Sequence, residues 1–194
     1  MTQSDADIPA KGTGPLVITT GGTIGADPYP NPEKPPKDCT MPFGRDLVGE
    51  WFTENIQDVE VVTMEHLDSK MIDDGYRTRM LAIANSSKKN AVIISHGTDT
   101  ITDTADFIAL NGNAAKTIII VGAMTPLSNG KESDGYANLA KALEVAAKKQ
   151  KGLFIVLSDW DETGRWTPRA YPHAPGAWRK HYDDDGRRCR LMPT

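Results

Sequence analysis

The stretch LVITTGGTIG, residues 16–25, decides the fold of this chain. A short apolar run ends in two threonines and then in a Gly-Gly-Thr turn. The stretch AVIISHGTDTITDT, residues 91–104, follows the same order, because an apolar run again gives way to glycine, threonine and aspartate. Short runs that are apolar without alternation are typical of strands covered on both faces of a parallel sheet. We therefore interpret both stretches as a buried strand followed by a polar turn.

Five apolar runs of this kind occur, and segments with helical spacing lie between them. The predicted strands are Leu16–Thr20, Val59–Met64, Ala91–Ser95, Thr117–Val121 and Leu153–Leu157. The helical segments are 44–56, 73–85, 102–111 and 133–149, the last with Ser133 or Asp134 as its N-cap. Strands that alternate with helices predict βαβ units with right-handed crossovers. The predicted fold class is α/β: an open, doubly wound, mostly parallel sheet with helices on both faces, in a single domain.

The composition limits the classes of protein to which the chain can belong. Its 194 residues are 39% hydrophobic and 25% charged, as in an ordinary soluble globular domain. The formal net charge of −4 offers no basic field for nucleic acid or anionic lipid. No apolar run approaches the ~20 residues that span a membrane. We therefore expect a cytoplasmic protein with neither nucleic acid nor a membrane as partner.

The ends of the chain and one internal segment do not follow the alternating order. Residues 1–14 are polar and predict a disordered leader, the α/β domain is expected over 15–160, and 161–194 has no clear periodicity and predicts an irregular tail. Residues 26–42 contain six prolines, which exclude a helix interior or a central strand. A long irregular loop inside a compact domain is usually functional or disordered.

The two polar turns are expected to form one site. Ligands of a parallel sheet bind at the carboxyl ends of its strands, so Thr23 and Thr98 would lie at the same edge. Gly22 and Gly97 would leave the backbone accessible, because glycine has no side chain. A threonine hydroxyl needs an activating base or network before it can act as a nucleophile, and Asp99 stands next to Thr98. Taken singly, each motif is also explained as a simple turn or a helix cap; their combination favours a site.

These motifs resemble a known family. TTGGTIG (19–25) and HGTDTITDTADFI (96–108) are similar to the two signature motifs of the bacterial-type L-asparaginases. LDSKMID (67–73) resembles the family's substrate-clamping segment, and IIIVGAMTPLSNGKESDGYANLAKAL (118–143) resembles the stretch that follows the second motif. The resemblance covers about residues 15–160. It implies cleavage of L-asparagine to L-aspartate and ammonia through a threonine acyl-enzyme, without a metal or an organic cofactor.

The resemblance also implies roles for individual residues. Thr23 matches the primary nucleophile and Thr98 the second catalytic threonine. Asp99 matches the carboxylate that binds the substrate's α-amino group, and Ser69 the residue that holds its α-carboxylate. Tyr29 falls near a tyrosine that activates the nucleophile from a mobile loop, which makes 26–42 a candidate lid. The remaining residues expected at the substrate are Gly22, Lys70, Gly97 and Ala123.

The sequence departs from the family's pattern in three places. Lys70 stands where the family has glutamine or a small polar residue, so it would either pair with the substrate's carboxylate or point to solvent. No lysine clearly matches the family's catalytic lysine after the fifth strand. The candidates are Arg169, His173 and Lys180. The chain is also about half as long as is usual in the family, which implies a short single-domain form or an incomplete chain.

Three other functions stay open on the sequence. The same site could hydrolyse glutamine, or it could belong to the glutaminase subunit of a tRNA-dependent amidotransferase. A non-catalytic amino-acid-binding domain is the third. For the asparaginase we expect a homo-oligomer of at least two copies. No metal site is expected, since the histidines share no ligand spacing and two cysteines, Cys39 and Cys189, are too few for a thiolate cluster.

Overall fold

A computed structural model of the chain describes residues 14–27, 43–160, 165–182 and 189–194. Six strands form the main sheet in the order β2-β1-β3-β4-β5-β6, and β7 pairs with β8 in a separate hairpin. The strands are β1 (Leu16–Gly21), β2 (Glu60–Leu67), β3 (Ala91–Ser95), β4 (Thr117–Val121), β5 (Gly152–Trp160), β6 (Trp166–His173), β7 (Trp178–Tyr182) and β8 (Cys189–Pro193). The α-helices are α1 (Leu47–Asn55), α2 (Asp74–Ser86), α3 (Ile101–Asn111) and α4 (Gly135–Ala147). Short 3₁₀ turns span Thr23–Gly25, Ser69–Met71 and Leu127–Glu132.

The predicted fold class is confirmed. Strands β1 to β5 pair in parallel, and β6 joins the sheet antiparallel, against β5. Apolar residues of α2 and α3 pack on one face of the sheet, and those of α1 and α4 pack on the other. Since β1, β3 and β4 are covered on both sides, their residues are apolar without alternation. No helix within the four described ranges is long and apolar enough to cross a membrane.

The strand order fixes where a site can form. From β1 the chain crosses to β2 on one side, and it then returns to β3 on the other side of β1. The direction of winding therefore reverses between β1 and β3, which pair from Leu16 with Val92 to Ile18 with Ile94. The carboxyl ends of strands at such a switch point diverge into loops and leave a crevice. The two glycine–threonine turns follow these two strands.

The C-terminal part differs from the irregular tail predicted for 161–194. Within its described residues, β6 extends the sheet beyond residue 160, and the β7–β8 hairpin packs on the face covered by α2 and α3. Leu191 is buried there, and the rings of Tyr171 and Trp178 meet edge to face at 5.1 Å. Prolines within β6 obscured the strand pattern. An edge strand tolerates them because one of its sides needs no N–H donors.

The N-cap position of α4 is occupied by Asp134, one of the two predicted caps. The Ser133 hydroxyl, one position before the N-cap, accepts a hydrogen bond from the backbone N–H of Gly135 at 3.0 Å. The carboxylate of Asp134 caps no helix. It faces the loop after β4 instead, and its role there belongs to the site.

Candidate active site

The turns after β1 and β3 are in direct contact. Gly22 has a φ of +72°, and a Cβ added to it would lie 2.2 Å from the backbone nitrogen of Gly97 and 2.4 Å from its Cα. A Cβ on Gly97 would lie 2.6 Å from the hydroxyl oxygen of Ser69. No side chain fits at either position, so glycine is required at both. This packing brings three of the predicted site segments to one point at the switch point of the sheet.

Thr23 begins the single 3₁₀ turn that follows Gly22. The turn closes through hydrogen bonds from the N–H of Gly25 to the carbonyl of Gly22 at 3.1 Å and from the N–H of Ala26 to the carbonyl of Thr23 at 3.2 Å. Thr23 is half-buried, whereas Ile24 is fully buried in the core with α1 and α4. The buried isoleucine anchors the turn and leaves its threonine at the edge of the sheet.

Thr98 is buried on the other side of the contact. A Cβ added to Gly122, in the loop after β4, would lie 3.2 Å from the Cγ2 of Thr98. The absence of a side chain at Gly122 therefore leaves room for this threonine. The second catalytic candidate, which belongs to the turn after β3, thus packs against the loop after β4.

A buried histidine orders the turn that carries Thr98. The Nδ1 of His96 lies 2.7 Å from the carbonyl oxygen of Gly97, and its Nε2 lies 2.9 Å from the Thr104 hydroxyl. A carbonyl oxygen only accepts, so Nδ1 carries the proton and Nε2 accepts from Thr104. The Nε of Arg77 in turn donates to the same hydroxyl oxygen at 3.0 Å. Burial lowers the pKa of His96 to about 4, so the ring is neutral and acts as a fixed spacer.

The loop after β4 contains the predicted substrate residue Ala123. Hydrogen bonds to polar residues at the start of α4 hold this loop in place. The Asp134 carboxylate accepts from the backbone N–H groups of Met124 and Thr125, at 3.2 and 2.8 Å. Asn138 donates to the carbonyl of Gly122 at 2.9 Å and to Asp134 at 3.1 Å, and it accepts from Ser158 at 2.7 Å. Burial raises the pKa of Asp134. The sequence analysis missed this network, because its members are far apart in the chain and only the Ser-Asp-Gly helix start hinted at it.

Ser69 is buried against Gly97 and belongs to a braced turn. The Asp68 carboxylate accepts from the N–H of Lys70 at 3.0 Å and so begins the 3₁₀ turn Ser69–Met71. The Thr100 hydroxyl donates to the carbonyl of Ser69 at 2.8 Å. The segment between β2 and α2 is therefore tied to the start of α3, beside the two glycine turns.

Asp99 contacts a lysine on each of two different segments. The Nζ of Lys70 lies 3.0 Å from its Oδ2, and the Nζ of Lys180, from β7, donates to its backbone carbonyl. The side chain of Lys70 is 57% exposed, and its pairing with the substrate's carboxylate stays a prediction. Its ammonium group pairs with the carboxylate expected to bind the substrate's α-amino group.

The three candidates for the missing lysine lie at different places. The Nε of Arg169 pairs with Asp159 at 3.3 Å, and the buried Nε2 of His173 pairs with Asp106 at 2.7 Å. Lys180 is the candidate that reaches Asp99. The hairpin that carries it was not predicted, so the sequence alone could not choose among the three.

Tyr29 and the rest of 28–42 lie outside the described residues. The positions on either side of this segment are joined, because Asp27 and Phe43 form a β-bridge and the N–H of Gly44 donates to the carbonyl of Asp27 at 2.8 Å. Phe43 packs against the end of β1 at Gly21. The segment predicted to be a lid therefore starts and finishes beside the turn that carries Thr23.

In the part of the chain that the structure describes, no three histidine, cysteine, aspartate or glutamate side chains are grouped in a way that could hold a metal ion. A reaction without a metal stays a prediction.

The chain is similar to a known protein family, to single relatives and to solved structures. The family model described as "Asparaginase, N-terminal" matches residues 16–179. L-asparaginase 2 of Bacillus subtilis is 31% identical over 168 residues, which cover 79% of this chain and 43% of that protein. The glutaminase-asparaginase of Pseudomonas fluorescens is 37% identical over 90 residues, covering 45% of this chain and 25% of that one. The chain thus spans less than half the length of both relatives.

The fold is shared with solved structures as well. L-asparaginase I of Vibrio cholerae superimposes with a TM-score of 0.61, at 23% sequence identity, over 92% of this chain and 50% of that one. At 23% sequence identity this likeness shows a shared fold and no more. It agrees with the order of strands and helices described above.

Proposed function

The chain belongs to the asparaginase family, and on that premise we propose that it hydrolyses L-asparagine to L-aspartate and ammonia. The observation that carries the proposal is the contact between the turns of Thr23 and Thr98 at the switch point, with Ser69 beside them. The family membership supports the reaction, and the packing of the glycines supports the site. Because the chain spans less than half of its relatives, the activity of the whole protein is part of the proposal.

The proposed reaction has two steps on one hydroxyl. The Oγ1 of Thr23 attacks the amide carbon of the substrate's side chain, and the C–N bond breaks. The proton of the hydroxyl reaches the leaving nitrogen, which departs as ammonia and leaves an ester on Thr23. Water then attacks the ester carbon, the hydroxyl group stays on the aspartate, and the proton returns to Thr23.

The site contains a carboxylate, Asp99, and an ammonium group, Lys70. These opposite charges suit the ammonium and carboxylate groups of an α-amino acid. We assign the substrate's α-ammonium to Asp99 and its α-carboxylate to Ser69. Gly22, Gly97 and Ala123 remain the residues predicted to border the substrate with backbone and small side chains. Tyr29 remains the predicted activator of Thr23, and its segment the predicted lid that excludes water.

Lys180 is proposed to take the place of the family's catalytic lysine. Its hydrogen bond to the carbonyl of Asp99 supports this assignment, because that residue directly follows Thr98. A lysine can release and regain a proton, which an arginine in the same position cannot do. Lys180 would thus relay the proton between Thr98 and the reacting groups.

Glutamine is the second candidate substrate. It is one methylene longer than asparagine, a difference that changes affinity in a fitted pocket only modestly. The name of the Pseudomonas relative, glutaminase-asparaginase, favours testing both. The alternatives of an amidotransferase subunit and of a non-catalytic binding domain predict no ammonia from the isolated chain.

The test is ammonia release from L-asparagine and L-glutamine by the purified chain and by Thr23→Ala and Thr98→Ala. We expect turnover to fall about a thousandfold or more in both variants. Thr53→Ala is the matched control, since Thr53 is exposed near the end of α1 at the opposite edge of the sheet. Folded wild type that binds asparagine without releasing ammonia would contradict the proposal and favour a binding domain.

Cytoplasmic location and assembly into at least two copies remain predictions. Sedimentation of the purified chain at several concentrations tests the assembly, and a mass equal to that of one chain throughout would contradict it.

A further inference from the structure

The ion pair between Lys70 and Asp99 points to a wider substrate class than asparagine. The two groups are 3.0 Å apart, and the side chains are 57% and 39% exposed. A pair so open to solvent is weak and exchanges easily, because water screens its charges. The carboxylate that the proposed function assigns to the substrate's α-ammonium therefore already has an ammonium group beside it, and that group belongs to the protein.

We propose that Lys70 stands in for the substrate's α-ammonium at Asp99. The site would then also hydrolyse monoamides of four-carbon dicarboxylic acids that lack the α-amino group, of which succinamate is the simplest. This inference rests on the proposed function and concerns the substrate class of the same site.

The backbone holds both partners in place. Residue 70 lies in the 3₁₀ turn that the Asp68 carboxylate begins, and the carbonyl of Asp99 is held by Lys180. Ser69 packs against Gly97, so the two segments cannot separate without breaking this contact. The next side chain, Met71, is exposed. Lys70 thus has solvent available, yet its ammonium lies on Asp99.

The charge of Lys70 affects which substrates can bind beside Asp99. If residue 70 were neutral, a substrate without an α-ammonium would leave the Asp99 carboxylate unpaired close to the substrate's own carboxylate. Two like charges brought together at a binding site repel each other and weaken binding. Lys70 removes this penalty, so the loss of the substrate's α-amino group is tolerated.

Asparagine remains a substrate under this proposal. Its α-ammonium displaces the Lys70 ammonium from Asp99, and Lys70 stays next to Ser69, where the proposed function places the substrate's α-carboxylate. The lysine therefore exchanges one carboxylate partner for another. Discrimination between asparagine and succinamate is accordingly small in the wild type and large when residue 70 is neutral.

The test compares kcat/KM for L-asparagine and for succinamate in the wild type, Lys70→Gln and Lys88→Gln. In Lys70→Gln we expect the ratio of asparagine to succinamate to rise about tenfold or more, through loss of activity on succinamate. Lys88→Gln is the control, because Lys88 is an exposed lysine before β3, at the opposite edge of the sheet. A ratio that is equal in all three proteins, with asparagine still hydrolysed, overturns the role of Lys70 and leaves the proposed function intact.

A binding measurement keeps the two proposals apart if no ammonia is released. Calorimetric titration with succinate and with L-aspartate, the corresponding products, is made on the same three proteins. A tenfold weaker binding of succinate by Lys70→Gln alone, with aspartate unaffected, supports the role of Lys70 even though hydrolysis fails. Equal effects on the two ligands, or no binding of succinate by the wild type, overturn it.

Discussion

Gly22 and Gly97, 75 positions apart in the chain, touch through their backbones, and an added Cβ on Gly22 would lie 2.2 Å from the nitrogen of Gly97. The contact joins the turns that carry Thr23 and Thr98. The contact leaves no room for a side chain at either position. The distance between the two threonines therefore depends on glycine at both positions.

The substitution Gly22→Ala tests this contact. The methyl group has no space, and the φ of +72° strains any residue with a Cβ, so we expect a loss of about 2 kcal/mol or more in the free energy of unfolding. Turnover should fall with it. Gly176→Ala is the matched control, because its φ is +69° and nothing lies within 4 Å of an added Cβ. That variant should lose only about 1 kcal/mol. Equal losses in urea titrations of the two variants would show that the contact itself carries no constraint.

The network beneath Gly122 should stabilise the protein measurably. Asn138→Ala leaves the carbonyl of Gly122 and the hydroxyl of Ser158 without a buried partner, so we expect a loss of about 2–3 kcal/mol in the free energy of unfolding. Activity should also fall, because Gly122 borders Thr98. Asn111→Ala removes an exposed amide on α3 and should cost less than about 0.5 kcal/mol. Urea titration measures both, and a small effect at Asn138 would contradict the structural role of the network.

Stability should depend on pH through His96. Its pKa falls from 6.5 to about 4 on burial, so the unfolded chain binds a proton between these values while the folded chain does not. The contribution of the neutral ring to stability is therefore complete above pH 6.5 and is lost as the pH falls towards 4, by about 3 kcal/mol in total. Unfolding titrations between pH 4 and 7 should show this slope in the wild type and a smaller slope in His96→Gln. An unchanged slope in the variant would assign the pH dependence to other groups.

Lys180 should affect the rate more than the affinity. For Lys180→Met we expect kcat to fall about a hundredfold with KM little changed, since a proton relay is lost. Lys180→Arg should not restore the rate, because an arginine keeps its proton. Arg169→Met, which breaks a pair with Asp159 away from Thr98, should stay within a few fold of the wild type. Full activity of Lys180→Arg would reduce Lys180 to a charge that positions Asp99.

The site itself was predictable to different degrees. Thr23 and Thr98 lie at one edge because strands β1 and β3 are parallel neighbours, which local patterns and the rule of carboxyl ends suffice to predict. The roles of individual residues remain proposals. Tyr29 lies outside the described residues. The network of Asp134, Asn138 and Ser158 was missed because its members come from different elements and meet only when α4 packs on the sheet.

The sequence by itself determined the strands β1 to β5, the alternation with helices and the two polar turns, because these depend on local periodicity and on glycine. Only the tertiary structure decided that described residues after 160 form β6 and the β7–β8 hairpin, that Lys180 is the candidate that reaches Asp99, and that Lys70 pairs with the same residue. The physical reason is that these contacts join residues far apart in the chain, which local sequence patterns do not describe. Lys180 and Asp99 are 81 positions apart. The residues next to a long flexible side chain in the sequence do not determine which distant group it contacts.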